Sequence, residues 1–409
     1  MAAQRVTAPS SAQHIPDKPW HAYITIDLLF AVLQRTVFHP FIAWLIPLCL
    51  RSLSYPTSDP YFRYACLYAA LISVCHLLYR LDKRLAWGPP RQLNWDEEVV
   101  VITGGTGGLG KVLTETYGMR GVSVAVLDSR APEGEQTEAM ENVRFYKCDV
   151  SDIEDVRRAK EAIEKDVRRY FVPLPNREKK KKYQEPDLPS QIRVHSKQEY
   201  LPSNTISSPS QQLGPPTILI NNAGTVSGSS LLALTPSQIN LTLQTNLHSH
   251  FHTLQTFLPS LLASPTGSTI VTISSVLGRL GAAHLTDYAA AKAGLIALHA
   301  SLRAELSSPK APAGAENVRM VLVTPGQLGT RLFADVQTPS PFLGPVVEAV
   351  ELAGEIVRMV DSGCSGEVSL PLYARFIGVL EAMPFSLQRA ARWASGVDRA
   401  MEGFRRKDE

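Results

Sequence analysis

Residues Val99 to Gly110 read VVVITGGTGGLG, and Lys111-Val112-Leu113-Thr114-Glu115 after them has the composition of a helix. A strand buried on both faces needs an unbroken apolar run of this kind, because helices cover it above and below. The glycines allow a sharp bend and a close approach of the backbone to a bound group. A helix starting at such a turn offers free N–H groups and the positive end of its dipole to a phosphate. The stretch predicts a strand–turn–helix unit that opens an α/β fold, a doubly wound parallel sheet of the Rossmann type.

Downstream, Val122 to Leu127 is a second apolar strand ending at Asp128. A carboxylate there can accept hydrogen bonds from an adenosine ribose and would repel a 2′-phosphate. This favours NAD, while Arg130 leaves NADP open; the plainer reading of Asp128 is a turn residue. Val143 to Lys147 leads to Cys148-Asp149-Val150, where Asp149 reads by itself as a turn residue and Ser151 or Asp152 as a helix cap. After a helix over 153–170 comes a proline- and serine-rich stretch, 173–216, with the run Lys179 to Lys182. Such composition does not order itself, so it reads as an inserted loop. Its lysines are a solvated run, with anionic headgroups or a nuclear address as alternatives.

Thr217 to Ile220 is a fourth strand, followed by Asn221-Asn222-Ala223-Gly224. A helix over 236–258 carries Asn246, His248, His250 and His252. His248 and His252 share a face with metal-ligand spacing, but a third ligand is not apparent, so they read as surface or packing residues and no metal is expected. Ser268 to Ser274 is a fifth strand leading to Ser275; Tyr288 lies thirteen residues further on, and Lys292 four beyond that. The i, i+4 spacing puts Tyr288 and Lys292 on one helix face. A phenol with its ordinary pKa near 10 is a poor acid–base catalyst at pH 7 unless a nearby cation stabilises the phenolate, and Lys292 can supply it. Asn317 to Thr324 is a sixth strand, running into Pro325-Gly326-Gln327-Leu328-Gly329-Thr330, and Gly366 to Leu370 a seventh.

Upstream, residues 1–19 are polar and lack the pattern of a cleaved signal peptide. Residues 22–34 are apolar apart from Asp27; Val37–Leu50 and Tyr64–Tyr79 then contain no formal charge. As helices these two runs measure about 21 and 24 Å, near the length of a thin membrane span. They are expected to form a membrane hairpin, as two short spans or a loop in one leaflet, within an anchoring segment 20–84; the alternative is a helix pair packed on the globular part. Arg80, Lys83 and Arg84 after the second run place the rest of the chain in the cytosol. Residues 85–96 read as a linker. The 409 residues are 44% hydrophobic, enough for a large core, and a net charge of +3 implies no nucleic-acid partner. Five scattered cysteines form no CxxC pair and fit a reducing compartment.

Taken in order, these motifs resemble the short-chain dehydrogenase/reductase family, classical type, over residues 97–373 apart from the insert. The resemblance implies hydride transfer with NAD, or NADP, bound by Gly104, Thr106, Gly108, Leu109, Gly110, Asp128, Asp149, Asn222, Ala223, Gly224, Tyr288, Lys292, Pro325, Gly326 and Thr330. Asp149 would lie against the adenine, and Thr330 would reach the nicotinamide carboxamide. The implied catalytic set is Asn246, Ser275, Tyr288 and Lys292: Ser275 binds the substrate oxygen, Tyr288 exchanges its proton, Lys292 supports both phenol and ribose, and Asn246 anchors a water. Phe333 to Pro345 would be a substrate lid, and the helices of Asn246 and Tyr288 imply a homodimer. The apolar tail 374–409 resembles that of the membrane-associated branch holding retinol and 17β-hydroxysteroid dehydrogenases of endoplasmic reticulum and lipid droplets. The expected substrate is therefore a lipophilic alcohol or carbonyl. An NADPH-dependent ketoreductase of a specialised metabolite is a second enzymatic reading. A non-catalytic membrane or lipid-droplet scaffold is the reading from another class, against which the intact Asn-Ser-Tyr-Lys set argues.

Overall fold

The computed structural model describes residues 25–131, 140–168, 215–333, 336 and 340–400. The readings of residues 1–19, of nearly all the insert and of the last nine residues lie outside them. Three helices come first: α1 (Ile26–Arg35), α2 (Pro40–Ser52) and α3 (Pro60–Trp87). The alternating part then runs β1 (Val99–Thr103), α4 (Gly108–Met119), β2 (Ser123–Asp128), β3 (Val143–Lys147), α5 (Ile153–Arg168) and β4 (Ile218–Asn221). It continues with α6 (Pro236–Leu243), α7 (Ser249–Leu262), β5 (Ser268–Ile273), α8 (Leu277–Leu280), α9 (Thr286–Leu306) and β6 (Val318–Val323). It closes with α10 (Ala349–Asp361), β7 (Gly366–Val368), α11 (Ile377–Glu381) and α12 (Phe385–Ser395).

The seven strands form one parallel sheet in the order β3-β2-β1-β4-β5-β6-β7. Strands β1, β4, β5 and β6 are buried along their whole length, which is why they read as uninterrupted apolar runs. Successive residues of β1 face opposite layers. Val100 and Ile102 pack with Leu113 and Tyr117 of α4 and with Leu352 and Ile356 of α10. Val101 packs with Val156 and Ile163 of α5 and Phe257 of α7. The strand order reverses between β1 and β4, and the crevice at such a switch point is where an open α/β sheet binds its ligand.

The segment read as a linker is tied to the base of this sheet. Arg91 and Glu98 form a buried ion pair at 2.5 Å; Arg91 also donates to the Thr266 carbonyl at 2.9 Å, and Thr217 donates its hydroxyl to Glu98.

The N-terminal region holds three helices where two apolar runs were read. Asp27 does not interrupt α1, because it sits in the first turn, where a carboxylate suits the helix dipole. Helices α2 and α3 meet through small residues, with Ala43 and Ala69 fully buried, and Trp44 donates to Ser73 at 3.0 Å. Helix α3 is long and apolar enough to cross a membrane, and α1 and α2 together pass the same test across a 54° bend. Leu45, Leu48, Leu67, Leu71 and Leu78 are exposed on their outer faces.

Candidate active site

The glycine turn lies at the reversal of strand order. Gly104 has φ of +63°, and a Cβ there would stand 2.9 Å from the Ala223 Cα. At Gly110 a Cβ would stand 2.1 Å from the Gly104 carbonyl oxygen, so only glycine lets α4 start against the turn. Asn222 holds this turn in shape, donating its amide to the carbonyls of Thr103 and Gly104 at 3.1 and 3.0 Å. The Thr103 hydroxyl accepts from the backbone N–H of Asn222 and Ala223. Around Gly107 the space is open, and Thr330 lies 3.5 Å from where a Gly108 Cβ would be. An open glycine cradle at a helix start fits the pyrophosphate of a dinucleotide.

Asp128 ends β2 beside this cradle. One carboxylate oxygen accepts from the Thr106 N–H at 3.1 Å and hydroxyl at 2.6 Å, and the other from the Arg130 N–H at 3.1 Å. Asp149 is exposed and accepts from the Ser151 N–H, the arrangement of a turn residue, while Asp152 accepts from Glu154 N–H at the start of α5. His252 faces the Val150 carbonyl at 3.2 Å, and among the described residues no cluster of three metal-ligating side chains occurs.

Tyr288 and Lys292, one turn apart in α9, are both buried. The lysine ammonium donates to the Ile273 carbonyl at 2.9 Å and stands 5.6 Å from the Tyr288 ring centre. Burial pulls Lys292 down to about 8. Burial also pushes the Tyr288 phenol up, opposed by its hydrogen bond with Ser275. Burial thus works against the charged form of both groups. Ser275 accepts from the Leu277 N–H at 3.1 Å and donates to the Pro325 carbonyl at 3.4 Å, which fixes its rotamer.

Asn246 sits in a π-helical turn, Gln244–His248, between α6 and α7. Its amide pairs with the backbone of Thr225, accepting at 2.7 Å and donating at 2.8 Å. The side chain clasps two segments around Gly224, whose absent Cβ leaves 3.0 Å to Asn246 Oδ1 and 3.9 Å to Lys292 Nζ. Such π-turns often mark functional sites, and no residue pattern in the sequence announced this one.

A cavity of about 510 Å³ opens at Ser275. Leu277, Leu280 and Leu285 form one side, Phe333 and Val336 another, and Leu343 and Tyr373 a third. Phe333 meets the Tyr288 ring edge-on at 6.0 Å. The lid read over 333–345 thus contributes in its described part. The C-terminal tail adds Ile377, Leu380, Val397 and Ala400, and Arg392 fastens it by donating to the carbonyls of Leu280 and Gly281 at 2.7 and 3.0 Å. Tyr373 packs on Gly326, where a Cβ would stand 2.6 Å from its hydroxyl. Apart from Ser275, Gly326 and the lid segment, these walls are not among the residues that the sequence singles out.

The short chain dehydrogenase family profile matches residues 98–171 and 190–340. An uncharacterized oxidoreductase of Saccharomyces cerevisiae, TDA5, is 43% identical over 129 residues, 32% of this chain and 38% of that protein. A second from the same yeast, YDL114W, is 25% identical over 73% of this chain and 82% of its own length. Retinol dehydrogenase 10-A of Danio rerio is 30% identical over 63% of this chain and 70% of its length. The chain belongs to the short chain dehydrogenase family and is an NAD(P)-dependent oxidoreductase.

Proposed function

We propose that this protein is a membrane-associated dehydrogenase that interconverts a lipophilic alcohol and its carbonyl. The observation that carries the reading is the apolar cavity lined by Ser275 and by Phe333, which packs on the Tyr288 ring. A cavity of this size and lining suits a mostly hydrocarbon substrate with one polar end. The bound nicotinamide supplies hydride transfer with the carbinol carbon. Ser275 donates to the substrate oxygen; the Tyr288 phenolate takes the hydroxyl proton in oxidation, and the phenol so formed returns it in reduction. Lys292, charged below about pH 8, favours the phenolate through Coulomb attraction across a dry site. Asp128 favours NAD over NADP.

The exposed leucines of α2 and α3 support attachment to a bilayer or lipid-droplet surface, with endoplasmic reticulum as the source membrane and the sheet on the cytosolic side. A homodimer through the faces of α7 and α9 completes the assembly. The test of the chemistry is Tyr288→Phe, which keeps the ring and its packing on Phe333. Turnover is expected to fall about 100-fold or more with dinucleotide affinity unchanged; a loss of only a few-fold would remove Tyr288 from the proton step.

A further inference from the structure

Helix α1 belongs to the apolar N-terminal region, yet its first turn is built into the substrate cavity. Ile26 lines the cavity, and its N–H donates to the Phe342 carbonyl at 3.2 Å. Asp27 accepts from the Leu372 N–H, so one helical turn touches both the loop before α10 and the segment after β7. Thr25 caps the helix, accepting from the Leu28 N–H at 3.2 Å, which fixes the direction in which α1 leaves the cavity. The second Asp27 oxygen is buried, with no partner among the described residues. A carboxylate half-desolvated in this way costs free energy, which a simple tether would not require. Its charge reaches the cavity wall: burial, and then Asp27, push Tyr373 up to about 12 and raise Glu351. From this fixed end α1 runs outward past exposed Leu28, Leu29, Val32 and Leu33 to the bend before α2.

We infer that α1 is a wall of the substrate site, in which Ile26 sets the length of hydrocarbon accepted and Asp27 is a positioning residue that latches the helix onto the Leu372 backbone. This rests on the reading of the cavity as the substrate site. Ile26 and Ser275 line the same cavity, so a chain of about a dozen carbons that fills it meets Ile26, whereas a four-carbon alcohol held at Ser275 leaves most of it empty. The apolar outer face of α1 then continues from the cavity toward the lipid, so the same helix that closes the site borders the substrate's path.

The test uses the full chain in detergent, with 1-butanol and 1-dodecanol as probes and dinucleotide affinity measured on each sample as a check of the sheet. Ile26→Trp is expected to lower kcat/KM for dodecanol about tenfold or more, with butanol changed less than about twofold. Ile26→Ala is expected to move the ratio the other way. Leu280→Trp, on another wall, controls for the cavity itself. If Leu280→Trp changes the dodecanol-to-butanol ratio and neither Ile26 variant does, α1 is not a wall and the inference falls. If none of the three changes it, the cavity is not the substrate site and the functional reading falls with it. For the latch, Asp27→Ala is expected to raise KM for dodecanol about tenfold with kcat kept. Asp27→Asn retains an acceptor for the Leu372 N–H and is expected to restore most of that loss; equal defects in both variants would overturn the latch.

Discussion

Replacing Lys292 by methionine is expected to make the protein inactive and more stable. Lys292 is held at about 8 by burial, well below the ordinary lysine value of 10.5. Below pH 8 the ammonium is charged in both folded and unfolded chains, and the folded state bears the full desolvation cost. That cost disappears as pH rises from 8 toward 10.5, where the unfolded chain holds a proton that the native one has shed, so stability increases with pH across this window. At about 1.4 kcal/mol per pH unit, the cost near pH 7 is about 3 kcal/mol. Methionine keeps the length and removes the charge, but leaves the Ile273 carbonyl without its 2.9 Å donor, a loss of about 1–2 kcal/mol. The net expectation at pH 7 is a gain of about 1–2 kcal/mol, or about 2–8 °C in Tm for a domain of this size. The assay is thermal unfolding of the protein without dinucleotide between pH 7 and 9, below the range where Cys148, pushed up to about 12 by burial, and buried tyrosines such as Tyr117 and Tyr288 reverse the trend. Wild type should gain stability across that range, and Lys292→Met should lose most of the gain. Parallel pH curves for the two proteins would refute the reasoning.

In the reducing direction Tyr288 must be protonated and Lys292 charged, so kcat/KM for a carbonyl probe should fall as pH rises through about 8; a flat profile from pH 6 to 10 would contradict this. Wild type should use NAD better than NADP, and Asp128→Ala should narrow or reverse the preference, measured as the ratio of kcat/KM values. Glu98→Gln leaves the buried Arg91 guanidinium without its counter-charge and should lower unfolding stability by about 3 kcal/mol or more, with Tm as the readout.

The sheet was legible because each central strand is buried on both faces and so carries a continuous apolar run. The glycine turn and the Tyr288–Lys292 pair were legible because their chemistry depends on spacing within one element. The unread parts are those made between distant segments. The π-turn at Asn246 depends on Thr225 across the clasp, and nothing in Gln244–His248 alone dictates it. Arg91 follows Gly88-Pro89-Pro90, a pattern that reads as punctuation, and its burial depends on Glu98 and Thr266. Asp27 reads as a charge interrupting an apolar run until its Leu372 partner is known. The cavity draws on α8, the loop before α10 and the tail, each with ordinary helix or loop composition; only their juxtaposition makes a site.

That Ile26 and Ala400 line one cavity has a consequence for how the protein is made. A ribosome adds about 5–20 residues per second, so about 20–80 s separate the appearance of the two ends of the wall. The apolar helices are exposed first, the sheet follows, and the pocket closes only after the last helix has been released. A nascent or prematurely terminated chain therefore carries an apolar groove that lacks its last wall, where chaperones or proteases would find it, and only the finished chain offers the whole cavity to its substrate.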